Sequence, residues 1–324
     1  MKLKALSLVT EELRLVEEKM REGAEEAYGP LAGAFLDLVM SGGKRLRPTL
    51  VILSSRFYPA DIKKVVAMGA AVETLHTATL VHDDLIDEAF VRRGHPTLTA
   101  LWKNRGLIVL AGDYIFAKSA DFAAETGSMR IVRLFTRTLM TICDGELRQG
   151  LSQNTWDQPK EDYYYRIYAK TASLFSLSTQ SGAIISHAPE KVIQSLEKYG
   201  RYLGMAFQVI DDILDFVGDE KKLGKPVGND LKEGIVTLPV YYYMKERPEN
   251  REQVIATLSS LDEDREDRVS ELVRDIAASG AIKSAYEEAM GMASRAKEAL
   301  ADLPDVGVRE ALMELADYSV AREF

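Results

Sequence analysis

The chain has 324 residues, with 41 Lys and Arg against 50 Asp and Glu, which gives a formal charge of -9. That balance lacks the broad cationic field used in sequence-independent nucleic-acid binding, and the single cysteine, Cys143, can form no internal disulfide. Hydrophobic residues at 46% and charged residues at 28% exclude disorder, and no Cys/His cluster has zinc spacing.

The opening segment, MKLKALSLVTEELRLVEEKM, meets Glu11 and Glu12 before any long apolar region. It reads as an amphipathic helix and not as a secretion signal or membrane span, which needs about 18 apolar residues. A cytoplasmic location is expected. Gly29-Pro30 and Gly42-Gly43 punctuate the next stretch of chain, and Pro48 suits the first turn of a new helix. Residues 61–87 are apolar on nearly every side, through Val65, Val72, Leu75, Ala78 and Val81. Breaks fall at Gly94 to Pro96, Gly106, Gly127 and Trp156 to Pro159, with no hairpin signal. Residues 196–217 repeat the all-round apolar pattern through Leu203, Phe207, Val209, Ile213 and Phe216. Gly218 to Gly228 is a loop, and the acidic stretch 261–268 is the expected surface connection. The periodicity is helical throughout, so the expected fold class is all-α, one domain over 1–324.

Helices apolar all round are normally central, yet both end in carboxylates. The first closes on Asp83-Asp84-Leu85-Ile86-Asp87, the second on Asp211-Asp212-Ile213-Leu214-Asp215. In each, the outer aspartates are four apart, about 40° around a helix, so the spacing turns them the same way. Like charges there repel, and Asp at a helix C-terminus opposes the dipole. Carboxylates without His or Cys select a hard cation, and Mg2+ completes its shell with water and phosphate oxygens. Two such clusters facing each other would share metals with a phosphate or diphosphate. Cations stand where that substrate needs them. Gly42-Gly43-Lys44-Arg45-Leu46-Arg47-Pro48 is a turn carrying three cations into a helix, Arg92-Arg93 follows the first cluster, Lys170-Thr171 lies in another helix, and Lys225 sits in the loop after the second cluster.

These residues carry a resemblance to the trans-isoprenyl diphosphate synthases, the polyprenyl synthetase family. The matching pieces, in family order, are GGKRLRP (42–48), LHTATLVHDDLIDEAFVRRG (75–94), LAGDYIFAKS (110–119), AKTASLF (169–175), GMAFQVIDDILDF (204–216), GKPVGNDLKEG (224–234) and LADYSVARE (315–323). The resemblance implies a single large helical bundle of the isoprenoid synthase type with a central cavity. It implies that an allylic diphosphate ionises, isopentenyl diphosphate attacks the cation, and a proton is lost. Asp83, Asp87 and Asp211 match the metal positions, with Asp84, Asp212 and Asp215 nearby or acting through water, for three Mg2+ per active site. Arg92, Lys170 and Lys225 match the allylic diphosphate site. Lys44, Arg47, His76 and Arg93 match the isopentenyl diphosphate site. Gln208 and Thr171 match polar groups at the reaction centre. The released diphosphate is the expected proton acceptor, and His82 is read as structural. Relatives often carry Lys where Ile235 stands, and Lys232 is the expected substitute.

Short-chain relatives place a bulky aromatic four or five residues before the first Asp, where this chain has Thr79 and Ala78. The next turn back offers Leu75, and Phe135 is a candidate floor. Small residues leave depth, so a hexaprenyl to decaprenyl product is expected, with farnesyl or geranylgeranyl diphosphate as primer. A geranylgeranyl or farnesyl product is the alternative. A class I terpene cyclase would replace the second DDxxD, and a non-catalytic subunit would have lost one cluster. A calcium-binding scaffold would rest on Asp262 to Asp267, which lacks the glycine an EF-hand requires. The resemblance also implies a homodimer packed through helices such as 106–126.

Overall fold

The long apolar runs become helices because each can bury most of its circumference only among other helices. In the chain's computed structural model, which describes residues 4–92, 94–218, 227–260, 264–304 and 307–321, the elements follow in this order. Helices α1 (Lys4–Leu8), α2 (Thr10–Glu25), α3 (Gly29–Met40), α4 (Leu46–Ser55) and α5 (Ile62–Ile86) lead to the strands β1 (Val91–Arg92) and β2 (His95–Pro96). Then come α6 (Leu98–Leu101), α7 (Arg105–Ala124), α8 (Met129–Leu151), α9 (Lys160–Ile167), a π-helical turn (Tyr168–Ala172), α10 (Ser173–Ile185) and α11 (Glu190–Val217). The chain continues as α12 (Asn229–Lys232), α13 (Leu238–Glu246), a short 3-10 turn (Pro248–Asn250), α14 (Arg251–Ser259), α15 (Arg265–Ala277), α16 (Gly280–Ala299) and α17 (Val308–Val320). The all-α expectation holds. Among the described residues no helix is long and apolar enough to cross a membrane.

Four sequence readings need correction. The opening segment is two helices, broken at Val9. A hairpin exists where none was expected, with Val91 opposite Pro96 and Arg92 opposite His95. Gly94 turns it at a φ of +80°, and strands of two residues are too short to show alternation. Lys170 and Thr171 lie in the π-helical turn and not in a regular α-helix. The second apolar helix also starts earlier than expected, at Glu190. Of the acidic run, residues 261–263 lie outside the described residues, while α15 opens with Glu266 and Asp267 in its first turn.

The contacts divide the chain into two compact units, the first being 1–138, 174–197 and 302–314, and the second 139–173, 198–301 and 315–324. In the first, α5 packs against α2, α4 and α7, and its start is capped by Asp61, whose carboxylate accepts from the Lys63 amide at 3.0 Å. Val65 to Leu75 of α5 are buried almost without interruption. In the second unit α13 lies on α16, and Val209, Ile210 and Ile213 of α11 share a core with Leu238, Ala285 and Ala289.

Candidate active site

In the first unit, the turn before α4 uses three residues at positive φ, Gly42 (+81°), Gly43 (+150°) and Arg45 (+47°). The Arg45 carbonyl then accepts from Thr49, from its amide at 3.1 Å and its hydroxyl at 2.8 Å, which starts the helix. The Arg45 side chain turns inward. Its guanidinium donates to Glu17 at 3.0 Å, to Glu73 on α5 at 3.1 Å and to the Val39 carbonyl at 2.5 Å. The turn therefore presents two of its three cations, Lys44, which is exposed, and Arg47, which is half-buried with its guanidinium 5.1 Å from the centre of the Phe175 ring. His76, half-buried, follows Glu73 by one turn of α5.

The first aspartate cluster sorts by burial. Asp87 is exposed and Asp83 half-buried, whereas Asp84, one residue round the helix, is 4% exposed. The hairpin returns Arg92 to it, with Nε 2.7 Å from Asp84 Oδ1. Burial pushes the Asp84 carboxyl above its usual pKa, and Arg92 opposes that shift. Arg93 lies outside the described residues. His82 turns toward α7. Its Nε2 sits 3.2 Å from the Val109 carbonyl, its ring 5.2 Å from Phe116, and a Cβ on Gly112 would fall 2.1 Å from it.

In the second unit the equivalence of the two motifs breaks down. Asp211 is exposed, but Asp215, four residues on, is 3% exposed and does not share its surroundings. Asp215 instead ties down the returning chain: its carbonyl accepts from the Gly228 amide at 2.6 Å and its Oδ2 from the Asp230 amide at 3.1 Å. Asp212 is 4% exposed and accepts from the Tyr163 hydroxyl at 2.7 Å and from Gln208 Nε2 at 2.9 Å. Burial, reinforced by the charge of Asp230, pushes Asp212 up to about 7, while Gln208, Tyr163 and Arg166 oppose it. Burial also holds the Tyr163 hydroxyl well above its usual range. Gln208 Oε1 meets the Thr171 hydroxyl at 2.5 Å, and Lys170 Nζ lies 2.9 Å from Glu146. Lys225 lies outside the described residues.

Sequence reasoning missed Tyr163, Glu73 and Asp230. Asp230 lies within GNDLKEG, but nothing local couples it to Asp212; Tyr163 reads as one of three successive tyrosines. Lys232 closes α12, where its carbonyl accepts from Arg265 at 3.4 Å.

Among the described residues no three His, Cys, Asp or Glu side chains converge on one point. Mg2+ does not need such a cage, because it takes one or two carboxylates and keeps water or phosphate for the rest. In each unit by itself the donors are carboxylate oxygens, with Asp87 exposed in the first and Asp211 exposed in the second, and oxygen donors fit that ion.

The comparisons with known proteins identify the family. A family model described as polyprenyl synthetase matches residues 30–276. The chain is 40% identical to heptaprenyl diphosphate synthase component 2 of Geobacillus stearothermophilus, over 100% of both chains. It superposes on the heptaprenyl diphosphate synthase of Staphylococcus aureus with a TM-score of 0.92 at 33% identity, over 98% of this chain and 99% of that one. It superposes on the geranylgeranyl pyrophosphate synthetase of Pyrococcus horikoshii with a TM-score of 0.88 at 32% identity, over 99% of each. With its motifs, its helical fold and these matches over nearly its whole length, the chain belongs to the polyprenyl synthetase family.

Proposed function

We propose that this protein is a trans-polyprenyl diphosphate synthase of the cytoplasm, with residues 1–324 acting as one synthase domain. It joins isopentenyl diphosphate to an allylic diphosphate such as farnesyl or geranylgeranyl diphosphate. The product is an all-trans polyprenyl diphosphate, hexaprenyl to decaprenyl, and diphosphate is released. The observation that carries the reading is the exposure of Asp87 and Asp211 at the ends of helices otherwise built from buried apolar residues.

In this reading Lys44, Arg47, His76 and Arg93 bind isopentenyl diphosphate, and Arg92, Lys170 and Lys225 hold the allylic diphosphate. Asp83, Asp87 and Asp211 would hold Mg2+, three ions with substrate bound, with Asp84, Asp212 and Asp215 in support. Bound Mg2+ supplies neutralisation of the charge on the departing diphosphate. The allylic C–O bond breaks, the alkene of isopentenyl diphosphate forms a C–C bond to the allylic carbon, and a proton passes to the departed diphosphate. Thr171 and Gln208 are the polar groups that line the reaction centre.

Two features support a long product. The residues five and four before Asp83 are the small Ala78 and Thr79, and Thr79 donates its hydroxyl to the His76 carbonyl at 2.8 Å, within its own helix. For assembly, a second copy is the proposed partner of α7, which exposes Leu107, Val109 and Leu110. The naming of the Geobacillus relative as component 2 favours a second reading, a different chain in that place.

The test is product chromatography with isopentenyl and farnesyl diphosphates, with and without Mg2+, on protein of measured solution mass. A dimer that makes hexaprenyl or longer diphosphate only with Mg2+ is expected. No metal-dependent diphosphate release overturns the synthase reading, a dominant geranylgeranyl product overturns the chain length, and a monomer inactive alone favours the two-component assembly.

A further inference from the structure

Thr171, Gln208, Asp212 and Tyr163 form one hydrogen-bonded line within the second unit, and donor counting orients every member. The Tyr163 hydroxyl donates to Asp212 Oδ2 at 2.7 Å, and Gln208 Nε2 donates to Asp212 Oδ1 at 2.9 Å. Both oxygens of this buried carboxylate are thereby occupied. With Asp212 ionised, a reversed Gln208 amide would set its carbonyl against the carboxylate, acceptor against acceptor, so in that state the amide orientation follows from its neighbours. Its Oε1 then faces Thr171 Oγ1 at 2.5 Å. An amide oxygen can only accept, so the threonine hydroxyl must donate, and its lone pairs point elsewhere.

The far end of the line is anchored by packing. Tyr163 is 5% exposed and shares a core with Ile167, Val209 and Ile213. The Arg166 guanidinium lies 5.5 Å from its ring centre, and Arg166 itself is tied to the Val236 carbonyl. Thr171 sits in the π-helical turn, whose wider winding changes the direction of side chains relative to the α-helices on either side.

We propose that Tyr163 is a positioning residue: through Asp212 it fixes the Gln208 amide, and so makes Thr171 present oxygen lone pairs and not its proton to the allylic carbon that becomes positive. The inference rests on the reading of Thr171 and Gln208 as lining the reaction centre. It gives Asp212 the task of orienting Gln208. Fixed lone pairs stabilise a developing cation without reorganising during the reaction, whereas a freely turning hydroxyl would present its proton part of the time.

The experiment is a double-mutant cycle on an enzyme whose wild type is first shown to turn over. Tyr163→Phe should lower kcat about tenfold, the worth of one lost orienting hydrogen bond. The KM for both substrates and the Mg2+ concentration for half-maximal rate should not move. Thr171→Val should lose a similar factor and Thr171→Ser little of it. The Tyr163→Phe/Thr171→Val pair should be no slower than the slower single variant, because both break one line. Losses that multiply in the pair, an unchanged kcat in Tyr163→Phe, or a shift in Mg2+ dependence in place of kcat each overturn the proposal. If Tyr163→Phe does not fold, Asp212→Asn paired with Thr171→Val reads the same line. An inactive wild type would instead remove the synthase reading itself.

Discussion

Arg45 shows how far a motif can be read as a string of charges. In GGKRLRP it stands between Lys44 and Arg47 and looks like a third phosphate ligand, yet its guanidinium is shared among Glu17, Glu73 and the Val39 carbonyl. Its side chain is only 10% exposed, so an unpaired charge there would be costly, and the fork of donors is what makes the position tolerable. The pair with Glu73 also braces the turn that carries Lys44 and Arg47. Lysine has no planar fork to reach the same acceptors. Arg45→Lys should therefore raise the KM for isopentenyl diphosphate by about three- to tenfold, the worth of roughly one hydrogen bond, and leave the allylic KM alone. Steady-state kinetics with each substrate varied in turn would check it, and equal changes in both constants would point to a general loss of structure. The same inward turn separates Asp84 and Asp212 from Asp87 and Asp211. Their spacing is visible in the sequence, but which of two adjacent aspartates faces the core depends on what packs beside the helix.

At the scale of the element, α5 and α11 were legible because all-round apolar composition over so many residues has few uses outside a helical core. The hairpin and the π-helical turn were not, since one is too short for any periodicity and the other differs from an α-helix by a single widened turn. Helix contacts were equally hidden. Gly182 of α10 lies against α4 so closely that a Cβ would fall 2.3 Å from the Val51 carbonyl and 2.9 Å from the Ser55 amide. Backbone cannot yield as a flexible side chain can. Alanine there gains up to about 1 kcal/mol of helix propensity but meets an overpacking cost of about 1–3 kcal/mol. Gly182→Ala should thus lower the Tm, while Gly33→Ala on α3, with nothing within 4 Å of the new Cβ, should hold or raise it. Calorimetry of the two variants side by side separates crowding from propensity.

For the whole molecule, fold alone does not select the product. A heptaprenyl synthase and a geranylgeranyl synthetase superpose on this chain with TM-scores of 0.92 and 0.88, too close to distinguish them. Individual side chains along the tail of the growing product must decide, and Ala78, fully buried one turn before Asp83, is the candidate. Ala78→Phe should shift the dominant product toward geranylgeranyl diphosphate with the condensation rate to the early products kept, read by chromatography. An unchanged product distribution would move the floor elsewhere, Phe135 being the next residue to change.

Sequence by itself determined the helical class, the two carboxylate-bearing helices and the diphosphate chemistry, because these depend on composition, period and residue type, all of which are local. The tertiary structure decided the rest. It set Arg45 against Glu73, Arg92 against Asp84, Tyr163 against Asp212 and the Asp230 amide against Asp215. Those pairs join residues from 8 to 49 positions apart. Which way a charged side chain points is settled by the partner that lowers its burial cost, and that partner is supplied only when the chain has folded.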